Sequence, residues 1–352
     1  MKICLLGYHE KYFWTGSATL KVQKNVHRHL NLRSIKTDLF VSSGKKNLIS
    51  VLFDPLKLEL SSEGRILSGG VIPFLWHLYK ENYDIIHMIL TRNYMVIVAL
   101  FTSIMGFKNF VTFHDNLIFP ELPNIDIKNL KLFITKWVLF NTSNGVFIYN
   151  GSDLKKFGIK YPDKQIFVIK NGVEEFFFDS RNNGSNRVNI LFSGGRNKPH
   201  KGYQFLLNSL NKTKENYRLV ICGEGEVQAL SESNLGELTP KQFREILKDI
   251  VALIIPSGYE AFSITALEAM ACSTPIIISN KCGLIKYLND GKGCFIVNYG
   301  DEEGLAQRID LLIRDTFLWQ KMSTEARDIA KHFVWSRIIE DYEKHYRSLE
   351  NK

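Results

Sequence analysis

Residues 250–279, IVALIIPSGYEAFSITALEAMACSTPIIIS, decide the fold. An apolar β-branched run, IVALIIP, leads through a short polar loop into ITALEAMA, whose residues favour a helix, and TPIIIS then returns to β-branched residues. Two strands joined through a helix pair in parallel by a right-handed crossover. The same alternation runs outward in both directions. VNILFS and YRLVICG precede the segment and GCFIV follows it, while KICLLG, KTDLFV, DIIHMI, NFVTF, GVFIYN and IFVIKN mark strands in the first half. Helix-period segments at 71–82, 94–105 and 128–140 lie between several of them. The chain is therefore expected to be α/β, built from doubly wound parallel sheets.

At 352 residues the chain exceeds a single core of roughly 100–200 residues, so two sheets in two domains are expected. A turn pair, Asn171-Gly172, followed by the polar stretch SRNNGSNR at 180–187, has the composition of a linker. The expected domains are 1–170 and 171–333, with an amphipathic helix, VWSRIIEDYEKHYRSL, from Val334 onward. Ligands of such sheets sit at the carboxyl ends of strands, which makes a cleft between two facing sheets the expected active site.

Composition narrows the classes. Hydrophobic residues make up 45% and charged residues 23%, as in a globular protein with a core. The longest uncharged apolar run, NYMVIVALFTSIMGF before Lys108, falls short of the roughly 18–20 residues that span a bilayer. MKICLLGY is too short for a secretory core, so a cytosolic protein is expected. Cys4, Cys222, Cys272, Cys282 and Cys294 are scattered through apolar segments without a Cys-x-x-Cys pair and read as reduced core residues. Residues 1–169 hold 21 Lys and Arg against 12 Asp and Glu, whereas 170–352 hold 24 against 24, so the first half carries the whole excess of +9. An anionic membrane surface, an acidic acceptor and simple solubility all fit that excess. Nucleic acid is not expected, since no recognition motif accompanies the charge.

Chemistry-bearing residues gather in a few segments. Glu260 and Glu268 flank seven residues, the first in the loop after a strand and the second inside the following helix among apolar neighbours. A buried carboxylate needs hydrogen-bond donors, and a ribose diol supplies two; an exposed or backbone-capping Glu is the plain alternative. The turn Ala261-Phe262-Ser263 opens that helix, where free N–H groups favour a phosphate or sugar oxygen. In ILFSGGRNKPHKGY (190–203) a glycine turn precedes Arg196, Lys198, His200 and Lys201, a cationic cluster suited to a diphosphate or, equally, to solvent. The chain has no Asp-x-Asp pair to hold a divalent metal on a leaving diphosphate, so no metal is expected and Arg196 with Lys201 would neutralise that charge. His87 and His114 stand at the ends of first-half strands, facing either a ligand or the core, and Thr15-Gly16-Ser17 joins the first strand to a helix where backbone can approach a ligand.

Taken in order, these segments resemble glycosyltransferase family 4, retaining GT-B enzymes in which two Rossmann-like domains face across a cleft. The resemblance runs over nearly the whole chain: the strand-loop at 2–19, VTFHD, Asn171-Gly172-Val173, SGGRNKPHKG, CGEGE at 222–226, NLGELTPKQFREIL at 234–247, PSGYEAFSITALEAMACSTPII and FVW at 333–335. It implies that Arg196, Lys201 and Gly16 hold the donor diphosphate and that Glu268 binds the ribose. Asn234 and Leu235 then edge the base, Ala261, Phe262 and Ser263 meet the donor sugar, and His114 lies near that sugar. Glu260 is implied to position the sugar and stabilise charge while the leaving phosphate takes the acceptor proton on the same face. The co-substrate implied is a nucleotide-diphosphate sugar, UDP-sugars favoured, with no other cofactor. The acceptor implied is a glycan or lipid-linked glycan of bacterial surface polysaccharide or lipopolysaccharide synthesis. The closing helix is implied to cross back to the first domain. Ser263 and Ser273 stand where the family has glycines, Lys286 replaces a frequent Glu, and TGS replaces paired glycines near the N-terminus.

Two other functions share this architecture: a nucleotide-sugar 2-epimerase, against which the Glu-x7-Glu spacing speaks, and a nucleotide-sugar-binding protein without catalysis, against which the joint presence of Arg196, Lys201, Glu260 and Glu268 speaks. For a membrane, the expected contact is the helix 128–140, with Lys128, Lys131 and Lys136 beside Leu130, Phe133, Trp137 and Phe140. A core helix with lysines at its rim is the alternative.

Overall fold

The computed structural model of the chain describes residues 1–7, 18–42, 48–89, 93–114, 127–151, 165–184, 187–195, 198–223 and 232–350. They form two compact units, Met1–Ile169 together with Ile338–Lys352, and Lys170–Arg337.

The first unit runs β1 (Lys2–Gly7), α1 (Ala18–Leu32), β2 (Lys36–Ser42), α2 (Leu48–Phe53), β3 (Lys57–Ser61), β4 (Gly64–Gly69), α3 (Val71–Lys80), β5 (Ile85–Met88), α4 (Asn93–Ile104), β6 (Lys108–Phe113), α5 (Ile127–Thr142), β7 (Gly145–Ile148) and β8 (Gln165–Val168). The sheet order is β3-β4-β2-β1-β5-β6-β7-β8. Among the described strands of this sheet only the β3–β4 pair is antiparallel. The KLELS sequence of β3 is exposed along its whole length, so no buried face repeats there, and the β3–β4 hairpin is absent from the strands legible in the sequence. Val71, Phe74 and Leu78 of α3 join Met95, Val98 and Ala99 of α4 and Leu139 and Phe140 of α5 in one core cluster against the sheet. These three helices thus cover one face.

The second unit runs β9 (Asn189–Ser193), α6 (Tyr203–Leu210), β10 (Arg218–Cys222), β11 (Glu232–Asn234), α7 (Pro240–Leu247), β12 (Ala252–Ile255), α8 (Ile264–Ala271), β13 (Ile276–Ser279), β14 (Cys294–Val297), α9 (Glu302–Arg314) and α10 (Thr316–Ala330). Its parallel sheet has the order β11-β10-β9-β12-β13-β14. The next helix, α11 (Trp335–Glu350), begins here and belongs to the first unit from Ile338 onward. There Tyr342 and Tyr346 are fully buried, and the Tyr346 hydroxyl pairs with His87 Nδ1 at 2.6 Å.

The linker expected at 180–187 is corrected by the structure: its described residues are packed into the second unit. Asn182 is buried, and its Nδ2 donates to the carbonyls of Leu247 at 2.9 Å and Ile250 at 2.6 Å. The Ser180 carbonyl accepts from Arg327 at 2.9 Å, and Arg187 donates to the carbonyls of Leu312 and Ile313 while its guanidinium lies 5.1 Å from the Trp319 ring. The polar side chains serve orphan carbonyls near the ends of α7 and α9 instead of water. All five cysteines are free and buried.

Candidate functional site

In the second sheet β9 lies between β10 and β12, and the chain leaves β9 in one direction but continues from β12 in the other. Parallel sheets open a ligand crevice at such a reversal, outside the carboxyl ends of the two strands. The loops after β9 and β12 meet there. The Gly258 N–H donates to the His200 carbonyl at 2.8 Å. Lys201 Nζ donates to Glu260 Oε2 at 2.6 Å, both side chains being partly exposed.

Two glycines permit this approach. Gly202 has φ +75° and a Cβ there would lie 1.9 Å from the Pro256 carbonyl oxygen, so the strand-to-helix turn carrying Lys201 closes onto the β12 loop only with glycine. A Cβ on Gly283 would lie 2.0 Å from the Ala261 oxygen. Glu260 is bound on both sides of its peptide, its N–H to the Lys281 carbonyl at 3.3 Å and its carbonyl to the Gly283 N–H at 2.8 Å. Its backbone is thereby fixed while its carboxylate stays reachable. Partial desolvation first, and then the Lys201 charge, hold the His200 imidazole below its ordinary pKa.

Beyond Glu260 the chain turns inward. Phe262 is buried, 6.1 Å from the Tyr287 ring and 6.2 Å from the Phe333 ring. Ser263 caps α8 with φ +83°, and Ala261 lies between it and Glu260. Glu268, one turn into α8, is 2% exposed. Asn234 and Leu235 are exposed at the end of edge strand β11, where Asn234 Oδ1 accepts from the Gly236 N–H at 3.1 Å. Segments far apart in sequence also meet: Val173 pairs with Val334 as an isolated parallel bridge, and a Cβ on Gly172 would strike the Trp335 ring at 2.5 Å.

The structure therefore brings together Lys201, Glu260, Ala261, Phe262 and Ser263 in one unit with Glu268 on the adjoining helix. Arg196 and Gly16 lie outside the described residues. His114 belongs to the first unit, at the carboxyl end of β6, where its Nε2 donates to the Ile89 carbonyl at 2.7 Å and its ring lies 5.2 Å from that of Tyr149. His87 is a core residue: Tyr346 and Thr112 occupy its two nitrogens at 2.6 and 2.7 Å, and burial lowers its pKa to about 3. Sequence reasoning missed Gly202 and Gly283, whose roles depend on carbonyls 54 and 22 positions away in the chain.

Both units have the Rossmann-like architecture of the GT-B glycosyltransferases. Sucrose-phosphate synthase from Thermosynechococcus elongatus superposes with a TM-score of 0.77 at 17% identity over 99% of each chain. Anabaena HepE, solved in complex with UDP, gives 0.73 at 16% identity over 99% of this chain and 100% of its own. Within that architecture, residues 174–329 match the family model described as glycosyl transferases group 1. An uncharacterized glycosyltransferase of Methanocaldococcus jannaschii is 26% identical over 208 residues, 51% of this chain and 53% of that protein. The chain spans about half the length of most of the curated relatives it matches.

Proposed function

We propose that the chain is a retaining glycosyltransferase of family 4 type. It moves a sugar from a nucleotide-diphosphate donor, UDP-sugars first, to a glycan or lipid-linked acceptor in surface polysaccharide or lipopolysaccharide synthesis, at the cytoplasmic face of a membrane. The observation that carries this reading is the Lys201–Glu260 pair, 2.6 Å apart at the strand reversal of the second sheet, with the α8 N-terminus beside it. UDP as donor nucleotide is supported by its presence in HepE.

In this reading Lys201 and Arg196 bind the diphosphate, which leaves with the electron pair of the sugar–phosphate bond. The acceptor hydroxyl attacks the anomeric carbon from the same side, and its proton passes to the departing phosphate oxygen. Glu260 changes partner from Lys201 alone to Lys201 and the sugar, holding the sugar while positive charge develops on it. The Glu268 carboxylate accepts from the ribose hydroxyls, and Asn234 with Leu235 borders the base. Ala261, Phe262 and Ser263 shape the sugar pocket, while His114 and Gly16 enter by resemblance alone. No divalent metal is needed, because the two cations do its work on the leaving group.

Screening the protein against UDP-, GDP- and ADP-sugars tests this by donor hydrolysis and by protection from thermal unfolding. Protection by a UDP-sugar and turnover unaffected by EDTA are expected. Activity abolished by EDTA and restored by magnesium or manganese would overturn the metal-free mechanism, and protection by none of the donors would overturn the function.

A further inference from the structure

The three helices over one face of the first sheet are apolar on their outer sides as well as on their inner ones. On α3, Ile72, Trp76 and Tyr79 are exposed, Trp76 at 59%. On α4 the exposed set is Ile97, Leu100 and Ile104, the last at 83%. On α5 Leu130, Ile134 and Trp137 are exposed, Trp137 at 49%, and Leu132 is exposed beside them. Each set recurs at three- or four-residue spacing, so each forms a stripe along its helix. The helices pack side by side, α4 on both α3 and α5. An exposed apolar surface built from three adjacent stripes marks an interaction site.

Charge selects the partner. VIPFLWHLYK, NYMVIVALFTSI and IKNLKLFITKWVLFNT contain no Asp or Glu, although the chain carries 36. Exposed Lys80 and Lys131 adjoin the stripes, and Lys80 Nζ lies 5.0 Å from the Trp76 ring. A second copy docking on the same face by two-fold symmetry would set lysine against lysine with no acidic partner on these helices. A bilayer surface with anionic head groups offers apolar depth for the stripes, the interfacial level that Trp and Tyr favour, and phosphates for the lysines. Among the described residues no helix is long and apolar enough to cross a membrane, so the contact is one of lying on it.

From this we infer that the outer face of α3, α4 and α5 is a docking surface for an anionic lipid bilayer. The inference rests on the lipid-linked side of the proposed function and gives it a location. It also corrects the contact face expected on α5. Lys136 and Phe140 are buried, so the face turns to Leu130, Ile134 and Trp137, with Lys131 at its rim.

The test is co-sedimentation of the whole chain with vesicles, without donor or acceptor. Vesicles of phosphatidylglycerol and phosphatidylcholine should carry the protein down, pure phosphatidylcholine at least about tenfold less, since only the anionic head groups attract the lysines at the surface. The double variant Trp76→Ser, Trp137→Ser should weaken binding by about tenfold or more, as it removes two large apolar groups from the contact. It should keep the parent's thermal midpoint and nucleotide-sugar protection. Equal sedimentation with both vesicle types, or with neither, overturns the inference. So does a concentration-dependent dimer in sedimentation velocity that the double variant abolishes, which would make the occupant a second copy. Donor protection without vesicle binding sinks this inference and leaves the transferase reading standing; vesicle binding without protection by any donor does the reverse.

Discussion

Ser263 and Ser273 hold left-handed backbone, φ +83° and φ +63°, at the two positions where the resemblance to family 4 calls for glycine. For a residue with a Cβ this conformation costs roughly 1–2 kcal/mol. Ser273 is fully buried, and its hydroxyl finds no hydrogen-bond partner among the described residues. Ser273→Gly relieves strain and removes an unpaired hydroxyl, against roughly 0.5–1 kcal/mol of added chain entropy in the unfolded state. A net stabilisation of about 1 kcal/mol is expected, read as a rise in urea midpoint at constant slope; an unchanged or lowered midpoint would show that the strain is absorbed elsewhere. For Glu268 the expected effect lies in binding. The proposed ribose contact changes little on reaching the transition state, so Glu268→Ala should weaken donor affinity by about ten- to a hundredfold, the worth of hydrogen bonds to a charged group, with a smaller change in kcat. Calorimetric titration giving the parent's donor affinity would remove Glu268 from the ribose.

Loops after β9 and β12 act as one element because of Gly202. Gly202→Ala adds a Cβ that must move the Pro256 carbonyl and also occupies positive φ, so the turn holding Lys201 shifts away from Glu260. At least about 2 kcal/mol of stability should be lost from the second unit, together with most donor protection; a variant that melts and binds donor like the parent would show the two loops to be independent. Elements also show what a sequence can convey. The strands of both sheets that are buried on two faces, such as LVIC and ALII, were legible as β-branched runs, and α3, α4 and α5 were legible by period. Exposed β3 alternates polar and apolar residues without a β-branched run, and the three-residue β11 is too short to show a period. SRNNGSNR looked like a linker because polarity in a sequence does not reveal whether water or a helix carbonyl will satisfy it. Lys201 and Glu260 could each be picked out by chemistry and spacing, but their 2.6 Å contact depends on the parallel pairing of β9 with β12, which only the fold supplies.

Across the molecule, buried histidines are distributed unequally between the units. In the first unit burial is the leading cause that lowers the pKa of His27 to about 4 and of His87 to about 3, and it shifts His77 and His345 the same way. His27 Nδ1 pairs with Thr37 at 2.7 Å and feels Asp38, whose charge opposes the shift; His87 is enclosed by Tyr346 and Thr112, with His114 adding to the shift. In the second unit His200 is shifted down as well, but it is exposed. A histidine whose folded pKa is depressed takes up a proton on unfolding, so its stabilisation is complete above the unfolded value of about 6.5 and is lost as pH falls toward the folded one. His27 and His87 should each lose roughly 1.4 kcal/mol per pH unit below that value. Between about pH 6.5 and 5, above the range where most carboxylates titrate, the first unit should therefore weaken by several kcal/mol while the second changes little. Hydrogen exchange read on peptides from β1, β2 and β5 against peptides from β9, β12 and β13 separates the two. Faster exchange confined to the first set on acidification is the expected result, and parallel loss of protection in both sets, or none in either, would show that the buried imidazoles do not govern acid stability.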